Sequence, residues 1–492
     1  MKKHPKSTEF LAIIFLVAAV AGGCLDDTVA PTQPQPSQST PSAVLDPEQI
    51  AYSLVVQASW PEVDGIEASA KLRAGEGLRG EATVRSLQRE PIIGDVVHYE
   101  FLVQVGPGPF DIIGIHRVVR ERAPNSPIRA RTSIFLLHGD YKDFEGCFLP
   151  GLLSTRTPDD FGFAVYLAQN DVDVWGIDQA WCLVPSSESD FSFMQDWGMQ
   201  RQVDDLNTAV SVARHARRMT GNGFSRMILC GYSSGSTTGF ALLNQETQVI
   251  PGHRNVGGFI PVDQGVATDV TAWEEAMCGA VAGYQALIDS GQYQDYNPLP
   301  TFGVPALTDP DGPSELIPGF TNIQAGLALG VFPFFEGVSG HFLAGTFDGD
   351  GVPTGLQYTD LDHWVDFMIN APPYEPLAFE RDEYITNCPA AGDVPWDDHL
   401  GDIEVPILFV MAGGGFGYTG DHTLSLLGSK DISRLRVSLY PPEEALLDFA
   451  HIDLFLASTA PDLVWQPILT WLQDHTLGNG PPPGVGRGAT TP

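Results

Sequence analysis

Positive charge is scarce in this chain: 492 residues carry 26 Lys and Arg, only six of them lysine, against 61 Asp and Glu, for a formal net charge of −35. A surface so short of cations offers no basic stripe for a phosphate backbone, which excludes nucleic acid as a partner. Cysteine is also sparse, at six residues, Cys24, Cys147, Cys182, Cys230, Cys278 and Cys388. No two of them stand in C-x-x-C spacing, so the usual structural zinc sites are excluded. Asp309-Pro310-Asp311-Gly312 and Asp348-Gly349-Asp350-Gly351 look like fragments of a calcium loop but lack the spaced Glu that closes one, and they read as turns. No metal and no cofactor is expected. Past the first 25 residues no stretch is apolar enough to span a bilayer, and no internal repeat is evident.

What is present begins with an export signal. Lys2, Lys3 and Lys6 precede an apolar run from Phe10 to Ala21, which ends in Ala21-Gly22-Gly23-Cys24. This resembles a bacterial lipoprotein signal, which implies removal of residues 1–23, lipidation of Cys24 and anchoring to a membrane. The expected location is the outer face of the cell envelope or the periplasm. A plain secretory signal is the alternative, and it also leads out of the cytoplasm. Residues 24–47 are rich in Pro, Ser, Thr and Gln and read as a flexible tether. The Gly/Pro-rich residues 479–492 read as a disordered tail.

Between tether and tail, β-type runs and helical stretches alternate, which predicts a mostly parallel sheet flanked by helices. Val96 to Val105 and Phe110 to Arg120 flank a Gly-Pro-Gly-Pro turn and read as a hairpin. Strands are then expected at Ser133–Leu137, Val172–Ile177, before Ser233, at Val256–Val262, Val405–Met411 and Arg434–Tyr440. Helices are expected at 159–169, 196–219 and 461–475. The most informative stretch is MILCGYSSGS, residues 227–236. An apolar run enters Gly231-Tyr232-Ser233-Ser234-Gly235, the sequence form of a turn that lifts a serine clear of a sheet, with flanking glycines where the backbone must crowd.

Upstream, SIFLLHG (133–139) is an apolar run ending in His-Gly; downstream, FAHIDLFL (449–456) follows the last predicted strand. With HG, G-x-S-x-G and a terminal His in this order, residues 95 to 478 resemble the α/β-hydrolase superfamily of serine esterases and lipases. The resemblance implies an eight-stranded, mostly parallel α/β sheet, with a large cap inserted after the sixth strand. The parts would be residues 48–265 and 402–478 for the catalytic domain and 266–401 for the cap. It further implies Ser233 as nucleophile and His451 as base. The acid usually follows the seventh strand, which points to Asp421. The loop before it, 412–420, is longer and richer in glycine than the usual pattern, and Asp263 after the sixth strand is the runner-up. The oxyanion hole would come from the backbone amides of Ser234 and Asp140, although a carboxylate is unusual at position 140. Tyr141, Phe144 and Phe148 either line an acyl pocket or pack the loop, and His138 reads as structural. The apolar, glycine-rich residues 319–347 either form a lid or pack the cap.

Cys147 and Cys182 follow the third and fourth strands on one edge of such a sheet, which makes a bridge between them plausible; Cys278 and Cys388 would then staple the insertion. Cys230, inside the strand before Ser233, reads as a free buried thiol. The expected activity is hydrolysis of a small carboxylic ester with an apolar acyl group through an acyl-enzyme. A peptidase or amidase using the same residues is the alternative within enzymes, and a silent binding protein on a hydrolase scaffold is the alternative outside them.

Overall fold

A computed structural model describes residues 46–62, 84–334 and 338–476. The signal, Cys24 with most of the tether, and the C-terminal tail lie outside the described residues.

The sheet is built from nine principal strands: β1 (Val84–Ile93), β2 (Val96–Gln104), β3 (Ile112–Ala123), β4 (Ser133–Leu137), β5 (Asp173–Asp178), β6 (Met227–Tyr232), β7 (Val256–Val262), β8 (Ile407–Ala412) and β9 (Ile432–Val437). Their order across the sheet is β1-β2-β3-β5-β4-β6-β7-β8-β9, and a two-residue strand, Ser126–Pro127, hangs on β3. From β5 through β9 every pairing is parallel, while β1, β2 and β3 form an antiparallel meander that joins at β5. The expected fold class, an α/β arrangement with a mostly parallel sheet flanked by helices, is what forms. The sheet carries two strands beyond the eight anticipated. β1, VRSLQREPII, alternates exposed and half-buried positions and closes on β2 through Gly94 at φ 59°; its charged and proline residues suit an edge and obscure its strand character.

The central strands are buried at every position, because helices cover both faces. One layer includes α1 (Pro47–Gln57), α3 (Met199–Met219) and α4 (Ser234–Thr247); the other includes α2 (Phe163–Gln169) and α10 (Gln466–His475). Asp46 caps α1, its Oδ1 accepting from Glu48 N at 3.0 Å, and Pro47 occupies a first-turn position where no intrahelical donor is missed. At one end of β5 the fully buried Asp173 takes both Arg117 from β3 and Arg217 from α3, and the Arg117 guanidinium lies 4.4 Å from the Trp60 ring centroid and 4.9 Å from that of Trp175. A two-to-one cluster this dry fixes sheet against helix only while all three partners remain, since removing one strands a charge.

Between β7 and β8 the chain leaves the sheet and builds five helices: α5 (Thr271–Asp289), α6 (Pro298–Thr308), α7 (Asn322–Val331), α8 (Leu361–Ile369) and α9 (Leu377–Ile385). α7 begins with a reciprocal capping box between Thr321 and Gln324. A disulfide joins Cys278 on α5 to Cys388 just beyond α9, across 110 residues. Closing a loop of that length removes about 4–5 kcal/mol of unfolded-chain entropy in the simplest model. The second expected bridge does not form. Cys147 and Cys182 are free thiols, as is Cys230. Cys182 Sγ instead lies 3.5 Å from both His138 Nε2 and the Lys142 carbonyl oxygen, and Cys147 packs in the core. Burial raises the Cys147 thiol to about 12 and pushes that of Cys182 well above its ordinary value.

Both aspartate-glycine segments are turns. Gly312 N donates to the Asp309 carbonyl at 3.1 Å, and Asp348 Oδ1 accepts from Asp350 N and Val352 N, each at 2.9 Å.

Candidate functional site

β6 runs straight into α4, and Ser233 sits at the junction with φ 58° and ψ −128°. A non-glycine residue held there costs about 1–3 kcal/mol, which the surrounding packing must sustain. The crowding explains the glycines: a Cβ on Gly231 would land on the Gly235 carbonyl, and one on Gly235 would lie 2.5 Å from the His138 carbonyl oxygen. Gly139 has the same constraint from the other side, since its Cβ would be 2.7 Å from Ser233 Cβ. The loop after β4 is thereby pressed against Ser233. Asp140 follows in that loop, and Ser234 is the first residue of α4, where the helix dipole favours negative charge.

His451 lies in the loop after β9, 3% exposed. Its Nδ1 is 2.8 Å from Asp263 Oδ2, so with the proton on Nδ1 the other ring nitrogen is left as an acceptor. Tyr232 stacks on the imidazole at 4.7 Å between centroids and Phe416 meets it edge-on at 5.0 Å. Tyr232 also donates from its hydroxyl to the His451 carbonyl at 3.3 Å.

The carboxylate on His451 is therefore Asp263, at the end of β7, and not Asp421. Asp421 begins a short helix, is well exposed, and pairs with Arg434 at 3.1 Å on the surface. The glycine-rich loop after β8 has a different task. Asp263, wholly buried with φ 61°, accepts from Ala412 N at 2.8 Å and Gly417 N at 2.9 Å through Oδ1, and from Phe416 N at 2.9 Å through Oδ2. A Cβ on Gly415 would collide with that carboxylate, and one on Gly417 would stand 2.6 Å from Oδ1. The GGGFG run is a cradle of backbone amides that keeps a dry carboxylate hydrogen-bonded. Its signal in the sequence was the cluster of glycines.

Ser233 Oγ is directed at Gln264 Oε1, 3.4 Å away. Gln264, which sequence reasoning missed, is held in turn by Thr237 Oγ1 at 3.2 Å and by Glu383. His138 is structural as expected: Nδ1 meets its neighbour's carbonyl Gly139 O at 2.9 Å and Nε2 accepts from Gln179 N at 3.3 Å. Phe144 and Phe148 pack in the core under the sheet, whereas Tyr141 reaches the cavity wall.

That cavity opens over Ser233 and His451. Every insert helix supplies part of its wall, with Trp273 from α5, Leu299 from α6, Leu329 from α7, Phe367 from α8 and Tyr384 from α9. Phe334, Phe342 and Phe416 complete an apolar, aromatic lining. In the 319–347 segment, Leu329, Phe334 and Phe342 face the cavity while Phe320, Ala325 and Val331 pack within the insert. The cavity volume is about 90 Å³. Among the polar groups on the wall is Asp140, whose carboxyl is pushed above its ordinary value by burial.

No family model and no curated protein matches the sequence. Among solved structures, a candidate lipase from Sulfolobus solfataricus superposes with a TM-score of 0.53 at 17% identity, over 79% of this chain and 99% of that one. A soluble variant of monoglyceride lipase from Saccharomyces cerevisiae, solved with a substrate analogue, gives a TM-score of 0.43 at 12% identity, over 81% of this chain and 98% of that one. The protein has the α/β-hydrolase fold.

Proposed function

We propose that this protein is an exported serine hydrolase that cleaves carboxylic esters carrying an apolar acyl group through an acyl-enzyme. Ser233 is the nucleophile, His451 the general base and Asp263 the carboxylate that fixes its tautomer. The observation that carries the reading is the dry Asp263–His451 pair at 2.8 Å, opening on the same cavity as a serine on a strained turn.

In the proposed sequence, substrate entry turns the Ser233 hydroxyl from Gln264 towards the His451 acceptor nitrogen. His451 takes the proton as Oγ attacks the carbonyl carbon, and Asp263 stabilises the imidazolium. The backbone amides of Ser234 and Asp140 receive the developing oxyanion. The imidazolium then protonates the departing alcohol, and water repeats the steps to release the acid. The aromatic wall favours an apolar acyl group, and the insert over Ser233 acts as the cap that selects it. The N-terminal signal supports export, with lipidation at Cys24 as the anchor.

Hydrolysis of a p-nitrophenyl ester series from acetate to palmitate tests this, with Ser233→Ala alongside. The wild-type protein should turn over the esters with a chain-length optimum, and the variant should retain a rate lower by several orders of magnitude. Equal rates in the two proteins would refute the assignment.

A further inference from the structure

Three clusters of titratable side chains lie near the site. Two of them, Glu100–His116–Asp178 and His138–Asp178–Cys182, set an imidazole beside the carboxylates, with His98–His116 at 2.9 Å and His116 ion-paired to Asp178 at 3.1 Å. The third consists of carboxylates alone. Asp140 from the loop after β4 meets Glu380 and Glu383, two positions on α9, with one carboxylate oxygen of each within 4.8 Å of the other two. Glu375, just before α9, joins them, and its Oε2 is occupied by Tyr141 N at 2.9 Å.

Glu375, Glu380 and Glu383 are 0%, 1% and 1% exposed. Glu375 Oε1, Glu380 Oε1, Glu383 Oε2 and Asp140 Oδ1 are all buried without a hydrogen-bond partner. No Lys or Arg among the described residues pairs with any of the four. The neighbouring Lys142 turns away, donating to the Phe367 carbonyl at 2.8 Å, and Arg381 pairs with Asp382. Burial, followed by mutual repulsion, raises all three glutamates well above the usual carboxylate range. Acceptor oxygens left unmet in a dry space are costly, and a hard cation satisfies them.

We propose that Asp140, Glu380 and Glu383, backed by Glu375, bind a divalent cation of the calcium type beside the nucleophile. Three oxygens that all lie within 4.8 Å of one another can close on one ion with small side-chain shifts, calcium taking carboxylate oxygens at about 2.3–2.6 Å. The glutamates do not reach the cavity surface, which favours a bare ion over the ammonium group of a substrate. The ion ties α9 of the insert to the loop that carries the proposed oxyanion donor. It also cancels the charge that Asp140 would otherwise set against a developing oxyanion.

The test uses full-length, chelator-treated protein titrated with terbium, whose emission is sensitised by nearby aromatic rings; Tyr141, Tyr284 and Tyr384 all interact with this cluster. We expect saturable emission at about one ion per chain, displaced by calcium, and a higher melting temperature with calcium than with chelator. Glu380→Gln and Glu383→Gln should each weaken binding by about tenfold or more, and Ser233→Ala should bind like wild type, which keeps this result separate from the fate of the hydrolase assignment. Absence of calcium-displaceable emission in the wild type overturns the proposal whether or not the variants fold. Emission unchanged in folded Glu380→Gln and Glu383→Gln, the mark of exposed carboxylates elsewhere, overturns it too.

Discussion

Asp263 follows β7 and Asp421 lies beyond β8, at one end of the parallel strands, yet their surroundings differ completely. One is wholly buried, accepts three backbone amides and orients an imidazole; the other is a surface partner of Arg434. Removing the negative charge from the first leaves His451 without its orienting acceptor, because an amide at that position presents a donor to Nδ1–H. Asp263→Asn should therefore lower kcat/KM for a p-nitrophenyl ester by on the order of a thousandfold or more, and Asp421→Asn should leave it within about twofold of wild type. Parallel rates on the two purified variants decide between the aspartates. Ser233 and His451 could be found in the sequence because each follows a strand in a distinctive local pattern. The carboxylate on His451 was legible only as the runner-up, Asp263 behind Asp421, because a buried carboxylate is defined by the amides that converge on it, and those come from residues 412–417, far along the chain. Gln264 and the glutamates of α9 were hidden for the same reason: their neighbours are set by how the insert folds back.

The loop after β8 shows what an element contributes beyond its side chains. Its glycines bring three amides onto one carboxylate, and an added methyl at Gly415 would meet Asp263 Oδ2 and, at 2.9 Å, Cγ. Gly415→Ala should push Asp263 off its cradle, lowering kcat at least tenfold with little change in KM and reducing the melting temperature by a few degrees. Gly252→Ala, where a Cβ meets nothing within 4 Å, should change neither. Steady-state kinetics and thermal melts on both variants check this. The central elements were readable from sequence because a strand buried on both faces is a run of apolar residues, as in SIFLLHG and MILCGY. Edges were less so. β1 reads as a charged segment, and the last helix is preceded by a π-helical turn, Pro461–Trp465, that sequence periodicity merges into α10. The one disulfide among the described residues corrects an inference from strand order alone: thiols on adjacent strand ends share an edge, but Cys182 is spent on the His138 and Lys142 contacts.

At the scale of the whole molecule, the sheet and the five helices between β7 and β8 together line a small apolar cavity that includes Ser233 and His451. Lys142 with the Phe367 carbonyl, Asp382 accepting from Met199 N at 3.0 Å and Tyr374 donating to the Ser186 carbonyl at 2.8 Å tie the insert to the sheet and its flanking segments. A formal net charge of −35 favours solubility and repels anions, and it says nothing of substrate. The proposed function rests on Ser233 acting as a nucleophile. Reaction of the intact protein with a small fluorophosphonate, read by whole-protein mass and then by peptide mapping, tests it most directly. A single adduct on Ser233, absent from Ser233→Ala and slowed in Asp263→Asn, is the predicted result; no adduct at all, or one on Ser234 or Ser236 instead, would contradict it.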